Sequence, residues 1–352
     1  MTDTILAAIT DEIGRQGPMT VETYMKRCLE PYYAAGNVIG VDGDFTTAPE
    51  ISQMFGEIIG AWVLHVHQMM GAPASFNLVE LGPGRGALVR DIMRVVSLRP
   101  DTERALKLHL VETSPELRKA QRMALGQRDA VWHDDISSLP AGPSIIIANE
   151  FFDALPVRQF VARGGRWRER AVGMQGDGLA FCDIETADVP AGLPGAANDG
   201  AIAEWHQTGQ AIAGALAHRL ATDGGAMLVI DYGYEGPATG DTLQAVRAHA
   251  HADALKAPGT ADLTTHVDFT QLRTAASAAS ASFAGSVSQG EFLSALGIGH
   301  RAQKLAAANP HRAAAIETDL ARLVSPDAMG ALFRVGTIYA RMAAPPPFTS
   351  GN

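Results

Sequence analysis

The chain has 352 residues, 47% of them hydrophobic and 19% charged, which suits a globular protein with a large core and excludes a disordered or low-complexity chain. Its formal net charge is −10, from 28 Lys and Arg against 38 Asp and Glu, which disfavours nucleic acid as the main partner and suits a cationic substrate. Two cysteines, Cys28 and Cys182, with no CxxC, cannot form a disulfide framework and fit a reducing compartment. In chain order, the N-terminus MTDTILAAITDEIGRQG lacks a basic leading region. The longest apolar stretch, IIGAWVLHV, falls short of the about 20 residues that a bilayer span needs. The expectation is a cytoplasmic protein with no membrane span.

Helices are expected over residues 2–15 and 20–29, parted by Gly17-Pro18. In GDFTTAPEISQMFGEIIGAW, Pro49 marks a helix start with Thr47 as its cap. Glu50, Gln53 and Glu57 then share one helical face, placed to cover a cofactor, to line a substrate channel or to face solvent. Phe45 and Thr46 precede that helix on a loop positioned to close over the ligand. Residues 1–75 thus read as an N-terminal helical extension with a cofactor-covering helix.

Residues 76–150 alternate. Apolar runs at 76–81, 107–112, 130–135 and 144–150 enclose helical patterns at 86–98 and 115–126. Such alternation predicts an α/β fold, a Rossmann-like, mainly parallel central sheet with helices on both faces, within a domain spanning 76–345. The run SIIIA suits a strand covered on both sides. Residues 158–184 alternate with period two around Gly164-Gly165 and Gly176-Asp177-Gly178, which predicts an inserted antiparallel hairpin or meander. A helix is expected at 202–222, a strand at 226–231, and a segment poor in regular pattern, a substrate-covering lid, at 234–268. Helices at 268–281 and 290–324 and a strand in ALFRVGTIYAR complete the chain.

The stretch NLVELGPGRGALVRDIM carries the first chemical signal. A strand ends in Glu80, and Gly82, Pro83, Gly84 and Gly86 lead into a helix whose N-terminus faces a ligand. A Walker loop would need GxxxxGK with Ser or Thr, which is absent. GPGRGA satisfies a dinucleotide GxGxxA pattern, so that reading stays open. Glu80 discriminates: beside a pyrophosphate it is repelled, beside a cationic amino group it is favoured. S-adenosylmethionine has an α-ammonium and no phosphate, and ExGxGxG is similar to the first motif of Rossmann-like methyltransferases. A second acid, Glu112, stands at the next strand end to take ribose hydroxyls, and Asp134, Asp135 and Ile136 stand at the third to face adenine. The bland alternative makes Glu112 and Asp135 ordinary strand-end caps. Arg85 either contacts the cofactor carboxylate or is a solvated loop residue.

ANEFFDALPVRQF (148–160), with GDFTTAPEISQMFGE, VELGPGRGALVRDI, MLVIDYG, DTLQAVRAH, ADLTTHVDF and SQGEFLSALGI, resembles the MidA family over roughly residues 20–340. This family includes the mitochondrial complex I assembly methyltransferase and bacterial relatives. The resemblance implies a class I methyltransferase that uses S-adenosyl-L-methionine and releases S-adenosyl-L-homocysteine. It further implies symmetric dimethylation of an arginine on a complex I subunit. Rivals are a methyltransferase with a small-molecule acceptor, a cofactor-binding assembly factor with little catalysis, and the dinucleotide oxidoreductase that Glu80 disfavours. The oligomeric state stays open, a homodimer included.

An arginine acceptor is cationic, with a pKa above about 12, so acids should hold it. Asn149 and Glu150 end the fourth strand, where such folds place cofactor- and substrate-facing groups, and Asp153 follows three residues on. Asp231 ends the next strand, and His266 with Asp268 shapes the substrate side. The catalytic candidates are therefore Glu150, Asp153, Asp231 and His266. Their bland alternatives are a helix cap for Asp153 and a turn-forming acid for Asp231. HAHAD (249–253) beside His266 is not a metal-specific spacing, so no metal is expected.

Overall fold

The computed structural model describes residues 2–34, 47–195, 197–247 and 250–348. The chain divides into two compact units. One comprises residues 46–152, 212–233 and 272–352, and the other residues 1–45, 153–211 and 234–271.

The first unit is built on a central sheet. Its strands are β1 (Phe76–Leu81), β2 (Leu106–Val111), β3 (Val131–His133), β4 (Ser144–Asn149), β5 (Gly225–Tyr234), β6 (Ser282–Ser288) and β7 (Phe333–Ala340). Their spatial order is β6-β7-β5-β4-β1-β2-β3. Strands β3, β2, β1, β4 and β5 run parallel, while β7 is antiparallel to β5 and β6 antiparallel to β7. Every residue of β1 and β4 is buried, as expected for strands covered on both faces. The Rossmann-like expectation holds. The order reverses between β1 and β4, so the crevice for a ligand lies outside the carboxyl ends of these strands.

Three helices matter for the site: α1 (Gln53–Met69), α2 (Ala87–Val96) and α3 (Pro115–Leu125). The expected single helix through Glu50, Gln53 and Glu57 is broken. Ala48–Ile51 forms one short turn of helix, and extended Ser52 caps α1 by accepting from the Met54 amide. Pro49 and Ser52 each favour a helix start, and the chain uses both. Gly56 and Gly60 let α1 press onto α2: added Cβ atoms would lie 2.6 Å from the Asp91 Cβ and 2.9 Å from the Val95 Cβ.

The second unit holds the insertion. Arg158–Arg163, Arg166–Gln175 and Gly178–Ile184 form the expected antiparallel meander. Met19–Thr20 pairs with Arg166–Gln175, and Ile202–Trp205 pairs with Arg158–Arg163. The expected helix at 202–222 therefore begins late, at Gln207, because IAEW alternates and completes a sheet edge. Segment 234–268 is not patternless: Gln244–Arg247 pairs with Ala250–Ala252 and with Asp262–Thr264. Helices Thr2–Gln16 and Val21–Ala34 pack through Ile9, Tyr24 and Met25 with Val157, Val172 and Leu263.

Candidate active site

Glu80 lies near the end of β1, 4% exposed, and its Oε2 has no hydrogen-bond partner among the described residues. Burial alone pushes its carboxyl up to about 8. A buried, unsatisfied acceptor of this kind fits a cationic donor and opposes a pyrophosphate. The loop beyond it adopts φ of +58°, +51° and +83° at Gly82, Gly84 and Gly86, conformations that side chains rarely adopt. Pro83 closes the turn, its carbonyl accepting from the Gly86 amide at 2.8 Å. Gly86 then caps α2 without any side chain, so the first amides of α2 are offered at the loop. A Cβ on Gly86 would sit 3.2 Å from the Gln121 Cα, so the loop also needs glycine for its approach to α3. These features fit the amino-acid end of S-adenosylmethionine, an ammonium at Glu80 and a carboxylate at the helix N-terminus.

Glu112 follows β2 and is buried, but it is not unoccupied: Oε1 accepts from the Ser114 amide at 2.8 Å and Oε2 from Gln121 Nε2 at 3.2 Å. It thus anchors the start of α3. Burial raises its pKa against these hydrogen bonds. Asp134 and Asp135 are exposed after β3. Asp134 pairs with Arg118 at 2.7 Å, and Asp135 caps a short helical turn by accepting from the Ser137 amide at 2.7 Å. Ile136 beside them is half-buried.

At the end of β4, Asn149 Oδ1 is buried with no hydrogen-bond partner among the described residues, while its Nδ2 donates to Glu150 Oε1 at 3.0 Å. Glu150 has φ of +50°, a strained value for a residue with a Cβ, and its Oε1 also accepts from the Ala48 amide at 3.2 Å. Asp231 is fully buried and accepts from the amides of Phe151 at 3.2 Å, Phe152 at 2.9 Å and Tyr232 at 3.0 Å. Asp231, expected as a catalytic acid or as an acid bonded to its own turn, thus braces the turn after β4 as well as the amide of Tyr232 beside it.

Gln53 donates to Glu57 Oε1 at 3.4 Å. Glu57 does not face solvent. It is buried and receives Arg94 at 3.1 Å and Arg301 at 2.7 Å, a clamp between α1, α2 and a distant helix, Ile298–Ala308. Phe45, Thr46 and His249 lie outside the described residues. In the other unit, Asp153 is buried, and its carbonyl accepts from the amide of Thr265, next to His266. Asp153 is not a helix cap, because no helix follows it. His266 is half-buried, 3.3 Å from Gln244 Nε2, and desolvation lowers its pKa. Among the described residues no cluster of three metal-ligating side chains occurs.

Gln121 escaped the sequence reading. Fully buried, it donates to the Gly84 carbonyl at 2.7 Å and accepts from Trp132 at 2.8 Å, so it joins the glycine loop to Glu112 and β3. A glutamine on an amphipathic helix carries no signal of such a role.

Residues 58–287 match a family of S-adenosyl-L-methionine-dependent methyltransferases. The chain belongs to this methyltransferase family. The mitochondrial protein arginine methyltransferase NDUFAF7 of Danio rerio is 34% identical, the match covering 96% of this chain and 88% of the relative. The Drosophila melanogaster homologue is 36% identical, over 93% and 83%. A solved Burkholderia thailandensis protein bound to S-adenosyl-homocysteine superposes with a TM-score of 0.86 at 26% identity, over 97% of this chain and 93% of that one. As in the rest of its family, S-adenosylmethionine is the methyl donor of this enzyme. One expectation is corrected by these relatives. Their names place them in mitochondria, so the cytoplasmic assignment falls. It rested on cysteine usage, the lack of a leader pattern and the lack of a long apolar stretch, none of which reports a compartment. No helix among the described residues is long and apolar enough to cross a membrane.

Proposed function

We propose that this methyltransferase modifies arginine side chains of a protein, by N-methylation through to symmetric dimethylation, and that its substrate is a respiratory complex I subunit. Bound S-adenosylmethionine supplies an electrophilic methyl group on its sulfonium. In this reading Glu80 holds the α-ammonium and the amides at the start of α2 the carboxylate. Asn149 turns its unsatisfied Oδ1 to the same ligand. Glu112 takes the ribose hydroxyls, and Asp134, Asp135 and Ile136 border the adenine.

Glu150 carries the arginine chemistry. A guanidinium keeps its charge at neutral pH, so an acid must hold it and accept a proton as one nitrogen attacks. Glu150 is fixed through Oε1 by Asn149 and Ala48, and its strained backbone places it at the strand end. The single observation that carries this reading is the juxtaposition at adjacent strand ends of an unsatisfied buried Glu80 and a strained, anchored Glu150. The named arginine methyltransferase relatives support the acceptor. The test is mass spectrometry of the host's complex I subunits with and without the gene. An arginine methylated only when the gene is present is expected, and unchanged arginine methylation overturns this substrate.

A further inference from the structure

A line of three side chains runs from the last two strands of the sheet to the loop after β3. His109 on β2 and His133 on β3 approach through Nδ1 and Nε2 at 3.0 Å, with ring centroids 5.2 Å apart. His133 Nδ1 lies 2.9 Å from Ser138 Oγ, and that hydroxyl reaches the Asp135 carbonyl at 3.2 Å. Both rings are buried, whereas Ser138 is exposed.

The proton positions follow from one atom. His109 Nε2 is buried with no partner among the described residues. If His133 donated to His109 Nδ1, a neutral His109 would carry its proton on that orphaned Nε2, and a buried unpaired N–H is costly. With the proton on His109 Nδ1, the orphan is only a lone pair. His133 then accepts at Nε2 and carries its own proton on Nδ1, which donates to Ser138 Oγ. The serine hydroxyl in turn donates to Asp135. Every donor in the line is used, in one direction.

Both rings must be neutral for this. Burial holds His109 down at about 4, helped by His133, Lys107 and Arg219. Burial also lowers His133, with Arg118 acting in the same direction and Asp135 and Asp134 opposing.

We infer that His109, His133 and Ser138 form a positioning relay that fixes the loop at residues 134–138 for the adenine of S-adenosylmethionine. This rests on the proposed placement of adenine at that loop. The loop has few other ties: Asp134 is held by Arg118, and the Asp135 side chain bonds only within its own turn among the hydrogen bonds described. The relay therefore adds a side-chain tie from its backbone to the buried sheet.

The experiment uses the full chain with Ser138→Ala, Ser138→Thr and Asp135→Ala. It measures kcat and KM for S-adenosylmethionine and binding of 5′-methylthioadenosine, which keeps adenine and ribose but lacks the amino-acid tail. Ser138→Ala is expected to raise KM and to weaken methylthioadenosine by about fivefold, the strength of one ordinary hydrogen bond, with kcat nearly unchanged. Ser138→Thr is expected to restore both. If Asp135→Ala weakens methylthioadenosine and Ser138→Ala does not, the relay is overturned while the adenine site stands. If neither variant does, the adenine placement falls and takes the relay with it. Nitrogen NMR of the imidazoles supplies an independent readout: both rings are expected as Nδ1–H tautomers, and Nε2–H at either ring overturns the inference.

Discussion

At the scale of single residues, Glu80 and Asp231 show how similar sequence positions acquire different work. Each acid stands near the end of a buried strand. Asp231 is surrounded by backbone donors and becomes a structural acceptor; Glu80 keeps a buried oxygen with no partner among the described residues. Without ligand, the folded chain keeps a proton on Glu80 up to about pH 8, whereas the unfolded chain loses it near the ordinary carboxylate value. The folded state then binds more protons, so apo stability falls as pH rises between those two values, by on the order of 1 kcal/mol per unit. Glu80→Gln is expected to flatten that slope and to raise the apo melting temperature at pH 8, read by thermal denaturation at pH 5 and pH 8. Equal slopes would show that Glu80 is already ionised or paired. Asp231→Asn should cost about 1–3 kcal/mol in denaturant unfolding, since an amide presents an N–H to at least one of three backbone donors. That these acids matter was legible from their strand-end positions. Which one keeps an unsatisfied oxygen was not, because the amides of Phe151 and Phe152 lie about 80 residues from Asp231 in sequence.

At the scale of elements, the α1–α2 contact sets the cofactor helix against the sheet. Gly60→Val would drive a side chain into the Ile92 carbonyl, 3.1 Å from where its Cβ would stand, and into Val95. We expect a loss of more than about 2 kcal/mol by denaturant unfolding, together with weaker cofactor binding; a neutral substitution would mean that α1 and α2 separate freely. Glu57→Gln removes the charge that Arg94 and Arg301 share, and because both guanidiniums are partly exposed the cost should stay near about 1–2 kcal/mol. Element types were largely legible and their divisions less so. The expected helix at 290–324 is split into Gln289–Ala295, Ile298–Ala308 and Ala313–Val324, where Gly297 takes a φ of +89° and Pro310 opens a separate turn. Strand β6 falls in the gap between the helices expected at 268–281 and 290–324, without a strand signal of its own because SFAGSVS is poor in large β-formers; pairing with β7 overrides that weak local preference. The short strands within 234–268 were hidden for the same reason.

At the scale of the whole molecule, the alternation of strands and helices predicted the parallel sheet, and its reversal between β1 and β4 places Glu80 and Glu150 at neighbouring strand ends. What one sequence could not show is that the helices before residue 45 and the meander after residue 152 belong to one unit, since they are joined by contacts such as Met19 with Val172. The central claim is that Glu80 and the glycine loop read the amino-acid end of S-adenosylmethionine. Calorimetric titration of S-adenosyl-homocysteine into the wild type and Glu80→Gln, from pH 6 to pH 8 in buffers of different ionisation enthalpy, tests it most directly. Wild type should bind more tightly as pH rises towards 8 and release a proton on binding, while Glu80→Gln should bind at least tenfold more weakly with no proton released. Equal affinity in the two proteins, or wild-type binding independent of pH with no proton released, would contradict it.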